Sequence, residues 1–521
     1  MRPFSSPSDG LASAAGPSAT DHPSVHSAPH RSGGPVASAG PVASAGAVAS
    51  AGPVASAGTV ASGGLLAGLF GSPRVDAELT DDALLQAMLD AERALVEAAA
   101  DAGVAPREAA EAIARHCRPE LFDTTMLGLA AQDAGNPVVP LVRELTAAIP
   151  EPARPWVHLG ATSQDILDTA LALVAVRAAG PSLAALDAAV DAAARLARDH
   201  RDTVMVARTL GQQAAPTTFG LKTANWLLGL RDARTRLLAA RAALPVQLGG
   251  AAGTLAALGP AGPAVADRMA ARLGLAASPL PWHTRRQPLL DVSVALAGVL
   301  VAAGKVALDV GLLAQTEVGE VAEGGAAGRG GSSAMPQKRN PVDSILINAA
   351  ARRGPGLLAT IFAAAAGHEH ERAAGAWHAE WEPLLDLLRL GGAAAERTRR
   401  LLTDLVVHPE RMRANLDATG GLVLSEAVSA RLAPALGRAV AHDAVARAAK
   451  AIAAPPTGPP DAFRAALLAD PEVRDRLPEA DLDAALDPAN WLGSAGEFVD
   501  RALAPDPSTT CPAGPTARDI E

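Results

Sequence analysis

Between two long helix-patterned stretches lies Gly328–Pro341, GRGGSSAMPQKRNP, where glycine, serine, proline and cationic residues crowd together. Glycine and proline inside a helix cost about 1 and 3 kcal/mol relative to alanine, so the stretch is predicted to be a loop. Clustered glycines give a backbone freedom to turn sharply or to approach a ligand closely. The adjacent hydroxyls of Ser332 and Ser333 are candidate proton-transfer or hydrogen-bonding groups, and Met335 lies between them and the cations Lys338 and Arg339. Asn340 is predicted to be an N-cap and Pro341 the first helical residue. A helix N-terminus flanked by two cations attracts anions. The chemistry expected is handling of a proton beside a clamped carboxylate.

Two more polar helix starts repeat the theme. In His158–Gln164, HLGATSQ, Thr162 or Ser163 caps a helix expected to run to Gly180–Pro181. In Gln212–Gly220, QQAAPTTFG, Pro216, Thr217 and Thr218 start a helix through Trp226 and Leu230, with Thr209 and Gln212 as polar neighbours. His158, His283 (in WHTRR, beside Arg285) and His378 (in WHAEW) are candidate carboxylate donors. Hydrogen bonding within the fold accounts for His158 equally well, and packing for the tryptophans. Glu380 would orient a histidine or satisfy a buried arginine.

The elements that must hold these groups read as helix almost throughout. Alanine and leucine abound, Thr80 caps a helix bearing Leu84, Met88, Ala91 and Leu95, and no run alternates β-branched with polar residues. A net charge of −10 opposes nucleic acid as a partner. The apolar run Val292–Val310 is interrupted by Ser293, Lys305 and Asp309 and is expected to be a buried helix, not a membrane span. Cys117 and Cys511 make neither a disulfide framework nor a four-ligand zinc site, and a reducing cytoplasm fits. No metal spacing and no dinucleotide loop occurs, the glycines at 324–331 being expected to follow a helix, so neither metal nor cofactor is expected.

Five regions follow. Residues 1–64 carry a six-residue repeat (GPVASA and variants from Gly34) too poor in large apolar side chains to order itself, and are expected to form a disordered tail. A helical N-terminal domain is expected at 65–155, a bundle of long helices at 156–405, and a C-terminal helical domain at 406–505. The end, 506–521, is expected to fray.

The loop resembles the signature G-S-S-x-M-P-x-K-x-N of the fumarase/aspartase superfamily, matched at Gly331, Ser332, Ser333, Met335, Pro336, Lys338 and Asn340. GATSQD at 160–165 and RTLGQQAAPTTFG at 208–220 extend the likeness over about 65–505. Within the superfamily it is most similar to the carboxymuconate cycloisomerases, through AGNPVVPLV (134–142), LPWHTRR (280–286) and HERAAGAWHAEW (370–381) among other stretches. The resemblance implies an all-α, three-domain fold, a homotetramer whose sites draw on three subunits, a small tricarboxylate substrate, Ser332 as acid/base, and Lys338 and Asn340 as catalytic partners. Argininosuccinate and adenylosuccinate lyases carry histidine where this chain has Leu210. Their leaving group is an amine, whereas a carboxylate, with a pKa of roughly 4, departs unprotonated. That contrast disfavours the lyases, and retention of Ser332, Lys338 and Asn340 disfavours a non-catalytic homologue. Leu210 is expected to be packed, so that histidine there would bring a buried polar penalty.

Because 1–63 lacks any core-forming pattern, a chain starting at Gly64 should keep the activity and oligomeric state of the full chain. Size-exclusion chromatography of the truncated protein checks this, and a shift to monomer or aggregate would contradict it.

Overall fold

The computed structural model describes residues 64–452, apart from 327, and 461–505. The repeat tract up to residue 63, the proline-rich link at 455–460 and the end beyond 505 lie outside the described residues. Gly64, assigned above to the tail, opens a single helical turn, Gly64–Ala67.

Six long helices build the frame of the described residues. After α1 (Asp81–Asp101), capped by Thr80, which accepts from the Ala83 N–H at 3.1 Å, comes α2 (Ser163–Asp199). A hairpin of β1 (Val204–Thr209) and β2 (Gln212–Thr218) leads into α3 (Phe219–Ala242). Then come α4 (Gln287–Leu313), a short strand β3 (Val321–Glu323), α5 (Val342–Ala366) and α6 (Trp381–Thr403). Strand β4 (Leu405–Val407) pairs antiparallel with β3. Helices α2 to α6 pack side by side as a bundle, with α1 against α2. The main core is its interior, and a smaller one (Val428, Leu432, Phe463, Leu467) lies under the C-terminal helices.

Several expectations need correction. Helix α2 does not stop at Gly180–Pro181 but runs on to Asp199 with Pro181 inside it. Pro181 removes one backbone donor, but Ala178, Ala179, Ser182, Leu183 and Leu186 around it are all buried, so packing on α3 and α6 holds the helix across the proline. The described residues also contain two small sheets where no strand was expected. In the first, Leu210 (φ 53) and Gly211 (φ 80) form a two-residue turn with both residues left-handed, the conformation that matches strand twist. Strand β2, QQAAPTT, has little intrinsic strand propensity, and its Pro216 is tolerated in a two-stranded ribbon. The glycines after residue 323 accordingly follow a strand rather than a helix.

The apolar helix α4 and the apolar part of α2 are long enough to cross a membrane, yet 56% and 72% of their most apolar windows are buried within the fold. On α4, Val294, Val301, Leu308 and Leu312 remain exposed, as do Ile345 and Phe362 on α5.

Helix α3 starts tight against the end of α2. A Cβ on Gly220 would lie 2.6 Å from the Arg201 Cα and 2.7 Å from the His200 oxygen, both backbone atoms. Gly220→Ala should therefore force the two helices apart, at a cost of about 1–3 kcal/mol, and lower the thermal midpoint. Calorimetry of the variant tests this, and an unchanged midpoint would show that the junction yields freely.

Candidate active site

The start of α2 is built on one carboxylate. Asp165 is fully buried, and its side chain accepts the Thr162 N–H at 3.0 Å, completing the N-terminal turn. It also accepts the N–H groups of Gly249 (2.9 Å) and Gly250 (2.8 Å) and the His283 Nε2 at 2.6 Å. These bonds bring the loop before α4 to the HLGATSQ turn. Beneath them, buried Arg286 is bonded to both Asp168 (Nη1–Oδ2 2.6 Å) and Glu380 (Nη2–Oε2 2.7 Å). Trp377 Nε1 donates to Asp168, and His368 Nε2 lies 3.0 Å from Glu380. Glu380 thus meets both a buried arginine, Arg286, and a histidine, His368, the two alternatives expected of it.

Above this base sit the groups that can meet a ligand. Thr162 is the N-cap, and Ser163 opens the helix. Arg372 donates to the Thr162 Oγ1 at 2.7 Å and to the carbonyls of Gly250 and Ala251. Since Thr162 Oγ1 accepts there, its own proton is turned elsewhere and is available to an anion. Arg372 was missed as a candidate although it lies in HERAAGAWHAEW, because nothing local to that segment tells where its side chain reaches. His158 has a left-handed backbone (φ 57), and its Nδ1 lies 2.6 Å from Glu92 Oε1, a carboxylate of α1 that is 1% exposed. Burial disfavours the charged ring, but the charge and hydrogen bond of Glu92 outweigh it and raise the His158 pKa.

His283, expected to donate to a substrate carboxylate, is 4% exposed and has its Nε2 committed to Asp165. Arg285 is exposed, near Ser278. His378 Nε2 meets the Gly135 carbonyl at 2.9 Å. Its ring packs against Trp377 at a steep angle (5.2 Å between centres, 70°) and against Trp381 at a tilt (4.6 Å, 44°).

The glycine-rich loop forms a second group. Its neck is closed by Asn340 N–H to Gly330 O at 2.7 Å and by pairing of Gly331 with Arg339. A Cβ on Gly330 (φ 72) would lie 2.3 Å from the Asn340 oxygen, so only glycine closes this neck. At the tip, Ser332 Oγ accepts two backbone N–H groups, from Ala334 (3.3 Å) and Met335 (3.2 Å). Ser333, Met335, Lys338 and Arg339 are exposed around it. The helix after the loop differs from expectation: it begins at Val342, and Asn340 is not its cap. The Glu323 carboxylate instead accepts the N–H groups of Asp343 (3.0 Å) and Ser344 (2.8 Å). The anion site predicted at that helix start is therefore already filled by the chain itself.

The hairpin tip is a third group. Thr209 and Gln212 face each other across the turn, exposed, and Arg208 ties β1 to buried Glu320 (Nη2–Oε1 2.7 Å), just before β3. Leu210 is fully exposed rather than packed, which removes the burial penalty anticipated for a histidine there.

Residues 72–356 match the family described as Lyase, and 421–502 match the adenylosuccinate lyase C-terminus. A nitrosuccinate lyase of Streptomyces davaonensis is 49% identical over 83% of this chain and 92% of its own. A 3-carboxy-cis,cis-muconate cycloisomerase of Pseudomonas aeruginosa is 44% identical over 84% and 96%. The crystal structure of the 3-carboxy-cis,cis-muconate lactonizing enzyme of Pseudomonas putida superposes with a TM-score of 0.78 at 42% identity, over 84% of this chain and 98% of that one. The chain belongs to the fumarase/aspartase superfamily. Its helical bundle is the superfamily's.

The His158–Glu92 pair gives a pH signature. A raised histidine pKa adds stability that is complete below the unfolded value of 6.5 and disappears as pH rises through the folded value above it. Unfolding midpoints measured upward from pH 6 should fall in the native protein through that window, and Glu92→Gln should flatten that part of the profile. Parallel profiles for the two proteins would refute the pairing.

Proposed function

We propose that the protein is a 3-carboxy-cis,cis-muconate cycloisomerase, working as a homotetramer on a small tricarboxylate. The observation that carries the reading is Ser332, whose oxygen is cradled by two backbone N–H groups at the tip of a cationic loop. Such a cradle stabilises an oxyanion and so brings a serine within range of proton transfer. In lactonisation one substrate carboxylate oxygen bonds to a carbon of the diene. The π electrons move into a neighbouring carboxylate as an enediolate, and Ser332 gives its proton to the carbon beside it. In reverse the alkoxide removes that proton and the ring carboxylate leaves. Lys338 and Asn340 hold the carboxylate where charge develops, with Ser333, Met335 and Arg339 beside them. Thr162, Ser163 and His158 hold a second carboxylate, and Thr209 and Gln212 flank the third.

In the isolated chain, no ion pair or hydrogen bond among the described residues joins the signature loop to the start of α2. The exposed apolar residues of α4 and α5 support association of several copies, and a site assembled from different subunits accommodates that separation.

A second reading is favoured by the 49% identical nitrosuccinate lyase. Loss of nitrite from nitrosuccinate uses the same enediolate and the same base. Like a carboxylate, nitrite leaves as a weakly basic anion, so the apolar Leu210 suits both reactions and suits release of an amine poorly.

The purified protein should consume 3-carboxy-cis,cis-muconate in an ultraviolet assay, and Ser332→Ala should lower kcat by about 10²–10⁴ with little change in KM. Lys338→Met should weaken both, since a carboxylate loses its charged partner. Nitrite release from nitrosuccinate without turnover of the muconate would replace the first reading by the second. Full activity of Ser332→Ala would remove the serine from the mechanism.

A further inference from the structure

Asp343 lies in the first turn of α5, is 1% exposed, and has three arginines on its carboxylate. Two of them, Arg397 (Nη1–Oδ1 2.9 Å) and Arg400 (Nε–Oδ2 3.0 Å), stand three residues apart on one face of α6. The third, Arg329, comes from the glycine-rich loop and bonds to Oδ2. Glu323 holds the backbone of Asp343 and Ser344 from the other side, so the carboxylate is fixed between α6 and β3.

We propose that Asp343 is a positioning residue that sets Ser332 through Arg329. The loop has a rigid neck, closed between Gly330 and Asn340, and Arg329 is the residue immediately before it. Ser332 is two residues beyond Gly330, so a rotation of the neck carries its hydroxyl directly. A guanidinium on a buried, fixed carboxylate is a directional tie between the glycine-rich loop and a helix pair. The arginines divide the labour. Arg397 and Arg400 bind α6 to α5 and serve the fold, whereas Arg329 binds only the loop. Two like charges beside it weaken the Arg329 tie, so the loop depends on Asp343 to stay docked.

This inference rests on the Ser332 reading, and the test separates the two. Arg329→Met, Arg329→Lys and Arg400→Met are compared in the full chain by kcat, KM, thermal midpoint and backbone hydrogen exchange over 328–341. Arg329→Met should cut kcat roughly 10²-fold, the effect of misplacing a reacting group by about an ångström. KM and midpoint should stay near native, and exchange in the loop should rise. Arg329→Lys keeps the charge but not the fork, and should recover part of kcat. Arg400→Met should lower the midpoint and leave kcat unchanged. If Arg329→Met and Arg400→Met lose midpoint alike while loop exchange and kcat hold, the cluster is structural and the inference is overturned. Ser332→Ala measured alongside isolates the other failure: full activity there condemns the acid/base reading, while a dead Ser332→Ala beside a native-like Arg329→Met condemns this one.

Discussion

The Asp165 carboxylate is the point from which the first half of the site is organised. It is removed from water and takes four donors, the Thr162, Gly249 and Gly250 N–H groups and His283. An ionised carboxylate at such depth is tolerable only when its lone pairs are occupied, and the helix N-terminus beside it contributes a favourable field. Remove it, and three segments distant in sequence lose the atom that joins them. The same bonds explain why His283 is occupied inward while Thr162 faces outward.

A related device recurs at the signature loop. Two acids, Glu323 and Asp343, do at the start of α5 what a capping side chain does elsewhere, one on the backbone and one on the arginines. Both helix starts therefore consume a carboxylate of the chain itself. Hydroxyls, Arg372 and His158 lie about the first start, and the exposed cations of the loop precede the second. On the proposed reading, an anionic substrate is then held by side chains and the Ser332 cradle more than by helix ends. Acids of the chain fix the backbone, and the loop cations Lys338 and Arg339 stay exposed.

Much of this was legible in the sequence. Helix content, the capping role of Thr80, a cap at Thr162 or Ser163, and the three polar stretches follow from local rules of propensity and periodicity, which act within a few residues. The burial of α4 is also readable, because charges punctuate its apolar run. What only the tertiary structure decided are the features that depend on partners far along the chain. Pro181 sits within a helix because both neighbouring helices press on it. QQAAPTT is a strand because the Leu210–Gly211 turn folds it onto β1, which Arg208 anchors to Glu320. Glu323 displaces Asn340 as cap from 20 residues away from Asp343, and Arg372 reaches Thr162 across 210 residues. A side chain's reach in space has no local sequence signature, since the same arginine or glutamate is equally at home in solvent. The sequence determined which groups exist and which helices carry them, and packing decided which carboxylate each group meets.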